Sequence, residues 1–435
     1  MTYLDTDKQT LADLSIVEGM RNEHPLCSLF SATETKKGKQ LMLHWITYPL
    51  NDISAIRKRQ EAIAWQNLPE LPLNEEELDF IEYYLEYRDQ IRKPNILISL
   101  TSAFDRLLRH DAKRYVIKRG VILIIRLLNQ LELLRTNLPK DAPLLLKEIA
   151  QSIQYTMCSS ELKEVIKHSK DNKTHLSTYI FDRYDYLFRC THLELVRELL
   201  SHIYILDACR SAHRTATSKG YCCCPEMTTS MDFSINGFVH PFTEKARKNN
   251  WKMDNGNICF FTGSNMAGKS TTLKAIAIAV WLAHCGLPVP AVSMTCPVFD
   301  GIYTSINLPD SLRDGRSHFM AEILRIKEVL QKAKSGKRCL IILDEMFRGT
   351  NAQDAFEASV AVNEILKKYL HCSFLLISTH ILEYAQHFEK DKTCCFYYMD
   401  SKIENGQFLC SYQLRQGISE AKVGYWLVKK ELGGL

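Results

Sequence analysis

The stretch FFTGSNMAGKSTTLK, residues 260–274, decides the fold of the second half of this chain. Residues 263–270 read Gly-Ser-Asn-Met-Ala-Gly-Lys-Ser, which fits G-x-x-x-x-G-K-[ST]. A random chain of this composition and length would contain that pattern with a probability of roughly one or two in a hundred. An apolar run, ICFFTG (258–263), precedes the glycines and TTLKAIAIAVWLA follows them. The reading is therefore strand, loop, helix, with backbone N–H groups of the loop and the helix start turned toward phosphates. Gly263, Ser264, Asn265, Met266, Ala267, Gly268, Lys269, Ser270 and Thr271 form the candidate cradle. Lys269 is placed to reach the β- and γ-phosphates of a nucleotide, and Ser270 to ligate Mg²⁺.

Working outward, two more apolar runs repeat the pattern: RCLIILDE (338–345) and SFLLISTH (373–380). Continuous apolar strands alternating with helices mark an α/β domain with a mostly parallel sheet. The first run ends on Asp344, a second Mg²⁺ ligand, and Glu345, which can orient or deprotonate an attacking water. The second ends on His380, a candidate contact to the γ-phosphate and that water, although such a histidine can also be structural. DGRSHFMAEILRIKEVL (314–330) reads as a turn opening an amphipathic helix, with Phe319, Ile323, Ile326 and Leu330 on one side. Its Ser317 is either an N-cap or a second phosphate contact. FRGTNAQDA (347–355) reads as the loop after the acidic strand.

Residues 1 to about 230 differ in texture. NEEELDFIEYYLEYRDQIRK (74–93), VILIIRLLNQLELLRTNL (121–138) and HLELVRELLSHIYILDACRSAHRTA (192–216) repeat apolar residues every three or four positions. This half is expected to be all-helical. The boundary is placed within GYCCCPEMTTSMD (220–232).

The chain has 435 residues, 46% apolar and 24% charged, with a formal net charge of +5. That length supports two or three packed domains. Mild basicity permits nucleic-acid contact without arguing for it. The apolar run from residue 120 breaks at Arg126, too short to span a membrane. With no signal sequence at the N-terminus, the fifteen cysteines are expected to be reduced thiols in a cytoplasmic protein. No cysteine pairs stand at zinc-ribbon spacing.

Together these segments resemble the MutS family of DNA mismatch-repair ATPases. TGSNMAGKST is similar to the family's phosphate loop, GRSHFMAEI to its signature segment, and LDEMFRGTNAQDA and STH to its acidic and histidine motifs. YQLRQGISEAKVGYWLVKKELG (412–433) resembles the C-terminal segment whose aromatic stacks on adenine, a position held here by Tyr412. DKQTLADLSI (7–16), SATETKKGKQLMLHWITYPLNDISAIRKRQEAI (31–63) and ILDACRSAHRTATSKGYCCCPEM (205–227) resemble the family's helical core and lever.

The resemblance implies a helical core/lever domain over 1–230 and an ABC-type P-loop ATPase domain over 231–435. It implies ATP and Mg²⁺ as cofactors, hydrolysis with Lys269, Glu345 and His380 in catalytic roles, and a homodimer. Each site would be completed by Ser317 of the other subunit. Double-stranded or structured DNA is the implied partner. The departures are that His318 replaces the usual Thr, Val292 stands where Gln is frequent, and 240–250 is short, leaving a second adenine contact unassigned. The mismatch-reading and connector domains are expected to have no counterpart, and the DNA clamp to be missing or reduced. An ATP-gated dimer that binds structured DNA or a protein, without reading mismatches, is therefore the other reading. A transporter ATPase or a chromosome-organising ATPase fits less well, since neither membrane spans nor long heptad arms are present.

Overall fold

The computed structural model describes residues 2–17, 24–87, 91, 112–170, 177–254, 256–264, 267–306, 318–404 and 407–419. They fall into two compact units. One comprises Ser31–Met42 and Glu61–Ala212; the other comprises Met1–Phe30, Leu43–Gln60 and His213–Leu435.

The first unit is helical. It contains most of α4 to α9: α4 (Glu75–Glu86), α5 (Ala112–Asn137), α6 (Leu144–Met157), α7 (Ser160–Lys170), α8 (Thr178–Tyr186) and the first part of α9 (Leu193–Lys219). α4 starts at a complete capping box, in which Asn74 Oδ1 accepts from Glu77 N while Glu77 Oε2 accepts from Asn74 N. The core is built from residues at helical spacing, including Leu78, Ile81 and Leu85 of α4, Val121, Ile124, Leu128 and Leu131 of α5, and Val196, Leu199 and Ile203 of α9. Asp185 and Arg189 are among the charged residues buried in this unit. Arg189 donates to both Asp185 oxygens and to Tyr87 O, and Tyr84 Oη donates to Asp185 at 2.7 Å.

The second unit is α/β. Its main sheet has six strands in the order β10-β9-β4-β8-β7-β6. These are β4 (Ile258–Thr262), β6 (Gly301–Ser305), β7 (Cys339–Asp344), β8 (Phe374–Thr379), β9 (Cys394–Glu404) and β10 (Gln407–Gln416). Every pairing is parallel except the β9–β10 edge. β4, β7 and β8 are buried along their whole length, as the continuous apolar runs require. α10 (Lys269–His284) follows β4 and is buried on nearly every side. α11 (His318–Ala333), α12 (Ala352–Lys367) and α13 (Leu382–His387) complete the unit.

Three features were not anticipated. A second sheet, of order β1-β5-β2-β3, is made of β1 (Glu226–Thr228), β2 (Ser234–Phe238), β3 (Asn249–Lys252) and β5 (Ser293–Pro297). Next, the N-terminal segment with α1 (Lys8–Asp13) joins the α/β unit: Asp5 bridges Gly301, and Asp13 Oδ2 accepts from Thr304 Oγ1 at 2.7 Å. Finally, the apolar stripe of α11 is covered only in part: Ile326 is buried, and Phe319 and Leu330 are partly buried against the apolar clusters. Ile323 is 37% exposed, whereas Glu322, Arg325, Ile326, Val329 and Ala333 are buried. Beside that stripe, Arg325 donates to Asp7 at 2.7 Å and to Thr304 O at 2.6 Å. Among the described residues no helix is long and apolar enough to cross a membrane.

Candidate functional site

The glycine loop leaves the carboxyl end of β4, which lies between β9 and β8. In parallel sheets this crevice is where ligands bind. The loop's geometry depends on glycine at two points. Gly263 has φ 137° and Gly268 has φ 100°, a region closed to ordinary L-residues. Gly268 is the N-cap of α10, and no side chain caps that helix. Its first N–H groups are therefore left for another acceptor. Ser264 Oγ is likewise buried without a hydrogen-bond partner among the described residues.

Lys269 is 3% exposed. Its Nζ donates to Gly263 O at 2.8 Å and Ser264 O at 3.0 Å, and lies 3.1 Å from Glu345 Oε1. The cation is thus folded back over the loop onto the acidic strand.

Asp344 ends β7 opposite Ser378 of β8. Burial pushes its carboxyl pKa up, against the opposing pull of hydrogen bonds from Ser378 and Ser270 and of the Arg348 charge. The Ser270 hydroxyl, read with Asp344 as a Mg²⁺ ligand, is thus among the groups that act on that carboxylate. Glu345 is next along, at φ +46°. Burial raises its pKa, but the His380 hydrogen bond and the charges of Lys269 and Arg348 outweigh that and hold it at about 2. His380 Nδ1 stands 3.4 Å from Glu345 Oε2. A cavity of about 560 Å³ opens beside Glu345 and His380, with Arg348, Thr350 and Glu383 on its wall.

Tyr412 occupies an irregularity in the β9–β10 ladder between Cys410 and Leu414, with φ +54° and 52% of its surface exposed. Bulges of this kind re-aim a side chain. Here the Tyr412 ring comes to Gly268, so close that a Cβ added there would meet Cδ1 at 3.4 Å. Asn249 of β3 fixes the turn by donating to Tyr412 O at 3.0 Å and accepting from Leu414 N at 2.8 Å.

Lys269, Ser270, Asp344, Glu345, His380 and Tyr412 thus all lie around the end of β4, with Gly263, Ser264, Ala267, Gly268 and Thr271 in the loop and first helical turn. Asn265, Met266 and Ser317 lie outside the described residues, as does the segment after 419. Two participants were not singled out from sequence. Ser378 donates to Asp344 and accepts from Glu345 N at 3.2 Å. Arg348 stands 3.2 Å from both carboxylates. The Ser378 signal was its place two residues before His380, in register with the acidic strand. Arg348 lay in a loop whose course no local pattern fixes.

The fold and site define an α/β unit that presents a glycine loop, a buried lysine and a paired acidic strand end at one crevice, in a chain that also carries a helical unit. Family comparison makes that class specific. Residues 9–333 match the MutS domain III model and residues 259–431 the MutS domain V model. The chain belongs to the MutS family. It is 32% identical over 247 residues to the DNA mismatch repair protein MutS of Shouchella clausii, covering 55% of this chain and 28% of that protein. It is 34% identical over 213 residues to the DNA mismatch repair protein msh3 of Botryotinia fuckeliana, covering 46% and 18%. It is 28% identical over 345 residues to the MutS of Bartonella henselae, covering 75% and 37%. The matches span well under half the length of these curated relatives.

Proposed function

We propose that this chain is an ATP-dependent, DNA-acting protein of the MutS type, with an ABC-type P-loop ATPase domain that hydrolyses ATP at composite sites of a homodimer. The observation that carries the reading is the convergence of Lys269, Ser270, Asp344, Glu345 and His380 on one crevice. The residues fit a magnesium nucleotide. An uncapped helix N-terminus, an unpartnered buried Ser264 hydroxyl and a buried lysine suit phosphate, and the oxygen groups of Ser270 and Asp344 suit a hard cation.

Bound MgATP supplies a phosphoanhydride ready for hydrolysis. Ser270 and Asp344 would hold the metal, and Lys269 would leave Glu345 for the phosphates. Glu345 stays deprotonated at neutral pH and so can accept a proton from water at Oε2. His380, hydrogen-bonded to that same oxygen, orients the carboxylate. Tyr412 would stack on adenine, Asn265 and Met266 complete the loop, and Ser317 of a second subunit would close the site.

Two measurements test this. ATP turnover should respond to DNA when homoduplex, mismatched and branched substrates are compared. If no DNA alters turnover and none binds at low salt, the DNA half of the proposal fails and a protein partner takes its place. Glu345→Gln should abolish turnover and accumulate an ATP-bound dimer in sedimentation. A monomer that persists under saturating ATP would rule out the composite site.

A further inference from the structure

The helical unit carries a surface that the nucleotide site does not use. Four aromatic rings form a continuous row across α4 and α5. Tyr87 and Tyr83 have centroids 5.8 Å apart, Tyr83 and Phe80 6.2 Å, and Phe80 and Tyr115 6.4 Å. Packing between two helices would bury such rings, yet Tyr83 is 54% exposed and Tyr115 57%. An aromatic on water at this level, twice in one row, is a surface awaiting a flat partner.

Along the first half of α5 the sequence carries charge of one sign, whereas α4 carries acids. From Ala112 to Arg126, α5 carries Lys113, Arg114, Lys118, Arg119 and Arg126, and no acid occurs before Glu132. Arg119 lies over Phe80 at 4.6 Å and over Tyr115 at 5.8 Å, and donates to Tyr115 Oη at 2.6 Å. This holds the outer ring in place. Lys118 is exposed, and neither it nor Arg119 has a carboxylate partner among the described residues. On α4, Glu77 is taken by Arg126, Asp79 pairs with Lys36, and Glu82 accepts from Tyr204. Glu86 is the one carboxylate of the last turn.

Exposed rings beside cations such as Lys118 and Arg119, which have no carboxylate partner among the described residues, are the two elements that bind a nucleic-acid strand with free bases. Bases stack on the rings while lysine and arginine follow the phosphates. A base-paired duplex offers the phosphates but no open base face to the rings. We propose that the α4–α5 face, Tyr83, Tyr87, Tyr115, Lys118 and Arg119, binds single-stranded DNA, such as the unpaired stretch of a branched substrate. This rests on the reading of the chain as DNA-acting and gives that reading a location.

The test is fluorescence anisotropy of the full chain with a labelled oligothymidine and with a homoduplex of equal length, at several salt concentrations. The double variant Tyr83→Ser, Tyr115→Ser should weaken single-strand binding by about ten-fold or more and duplex binding far less. Lys118→Glu should weaken binding and lower the salt slope by at least about 0.7, the share of one phosphate contact. Tyr83→Phe with Tyr115→Phe should keep single-strand affinity, because stacking does not need the hydroxyl. Unchanged thermal unfolding of each variant excludes loss of the helical unit. If the wild-type chain binds DNA and neither the serine pair nor Lys118→Glu changes it, this inference is wrong while the DNA-acting reading stands. An equal loss for single strand and duplex would overturn the stacking role. No binding of either DNA by the wild-type chain would overturn both.

Discussion

Five non-glycine residues have left-handed backbone among those described: Ser15, Lys245, Glu345, Phe347 and Tyr412. Three of them surround the glycine loop. Each such residue costs about 1–2 kcal/mol and persists only where neighbours impose it. Phe347 shows how. Its ring is 2% exposed and lies 5.4 Å from Phe319 of α11, so the chain turns sharply after Glu345 to bury it. Glu345 is turned by the same segment, and Ser378 completes its fixing. Ser378→Ala removes the donor to a buried carboxylate and one acceptor of Glu345 N. It should cost about 1–3 kcal/mol in denaturant unfolding. Because Asp344 then loses a bond that favours its charged form, half-saturating Mg²⁺ for ATP turnover should also rise several-fold. An unchanged Mg²⁺ dependence would show that Ser378 only supports the strand. Lys269, Asp344, Glu345 and His380 were legible because each ends an apolar strand or sits in a loop of fixed spacing. Arg348 and Ser378 were not, because their role depends on which strand is whose neighbour.

At the scale of elements, β4, β7, β8 and α10 were legible for the same reason: burial on both faces leaves an unbroken apolar run. β2 and β3 were not. SINGF and NNWK are short, polar at alternate positions, and paired in a small sheet where only one face is covered. On α11 the packing of Phe319, Ile326 and Leu330 was legible, but the burial of Arg325 was not, because it depends on Asp7 and the Thr304 carbonyl, far away in the chain. The crossing of α4 and α5 depends on a single residue. A Cβ on Gly120 would stand 2.2 Å from the Tyr84 ring, and that ring cannot retreat while its hydroxyl is held by Asp185. Gly120→Ala should therefore destabilise the helical unit by about 1–3 kcal/mol through overpacking. This reverses the gain of about 1 kcal/mol that alanine normally brings to a helix. Urea unfolding followed by circular dichroism measures the sign, and a stabilised variant would refute the tight crossing.

At the scale of the molecule, the change of texture near residue 230 was visible, but compactness follows contacts rather than chain order. Residues 1–30 and 43–60 belong with the α/β unit because Asp5, Asp7 and Asp13 find partners on β6 and α11, and because Trp281 and His284 of α10 find theirs at Ile46 and Leu50. No periodicity announces such pairings. His284 joins three of these segments. It is fully buried, with Nδ1 donating to Leu50 O at 2.7 Å and Nε2 accepting from Phe299 N at 3.2 Å. Both bonds need the neutral ring, and burial lowers its pKa from 6.5 to about 4. A histidine that binds its proton more weakly in the folded state adds stability fully above pH 6.5. That stability is lost as the pH falls toward 4, because the unfolded chain takes up the proton first. The difference of about 2.5 units corresponds to about 3 kcal/mol. His284→Gln should be the less stable protein at pH 7, since glutamine cannot reproduce both bonds. The gap between it and wild type should narrow by about 3 kcal/mol between pH 7 and pH 4, because carboxylates such as Glu345 titrate alike in both and cancel in the comparison. Denaturant unfolding of the two proteins across that range reads the difference directly. A gap that stays constant would mean that His284 keeps an ordinary pKa in the folded chain, and that the joint it forms can hold a charged ring.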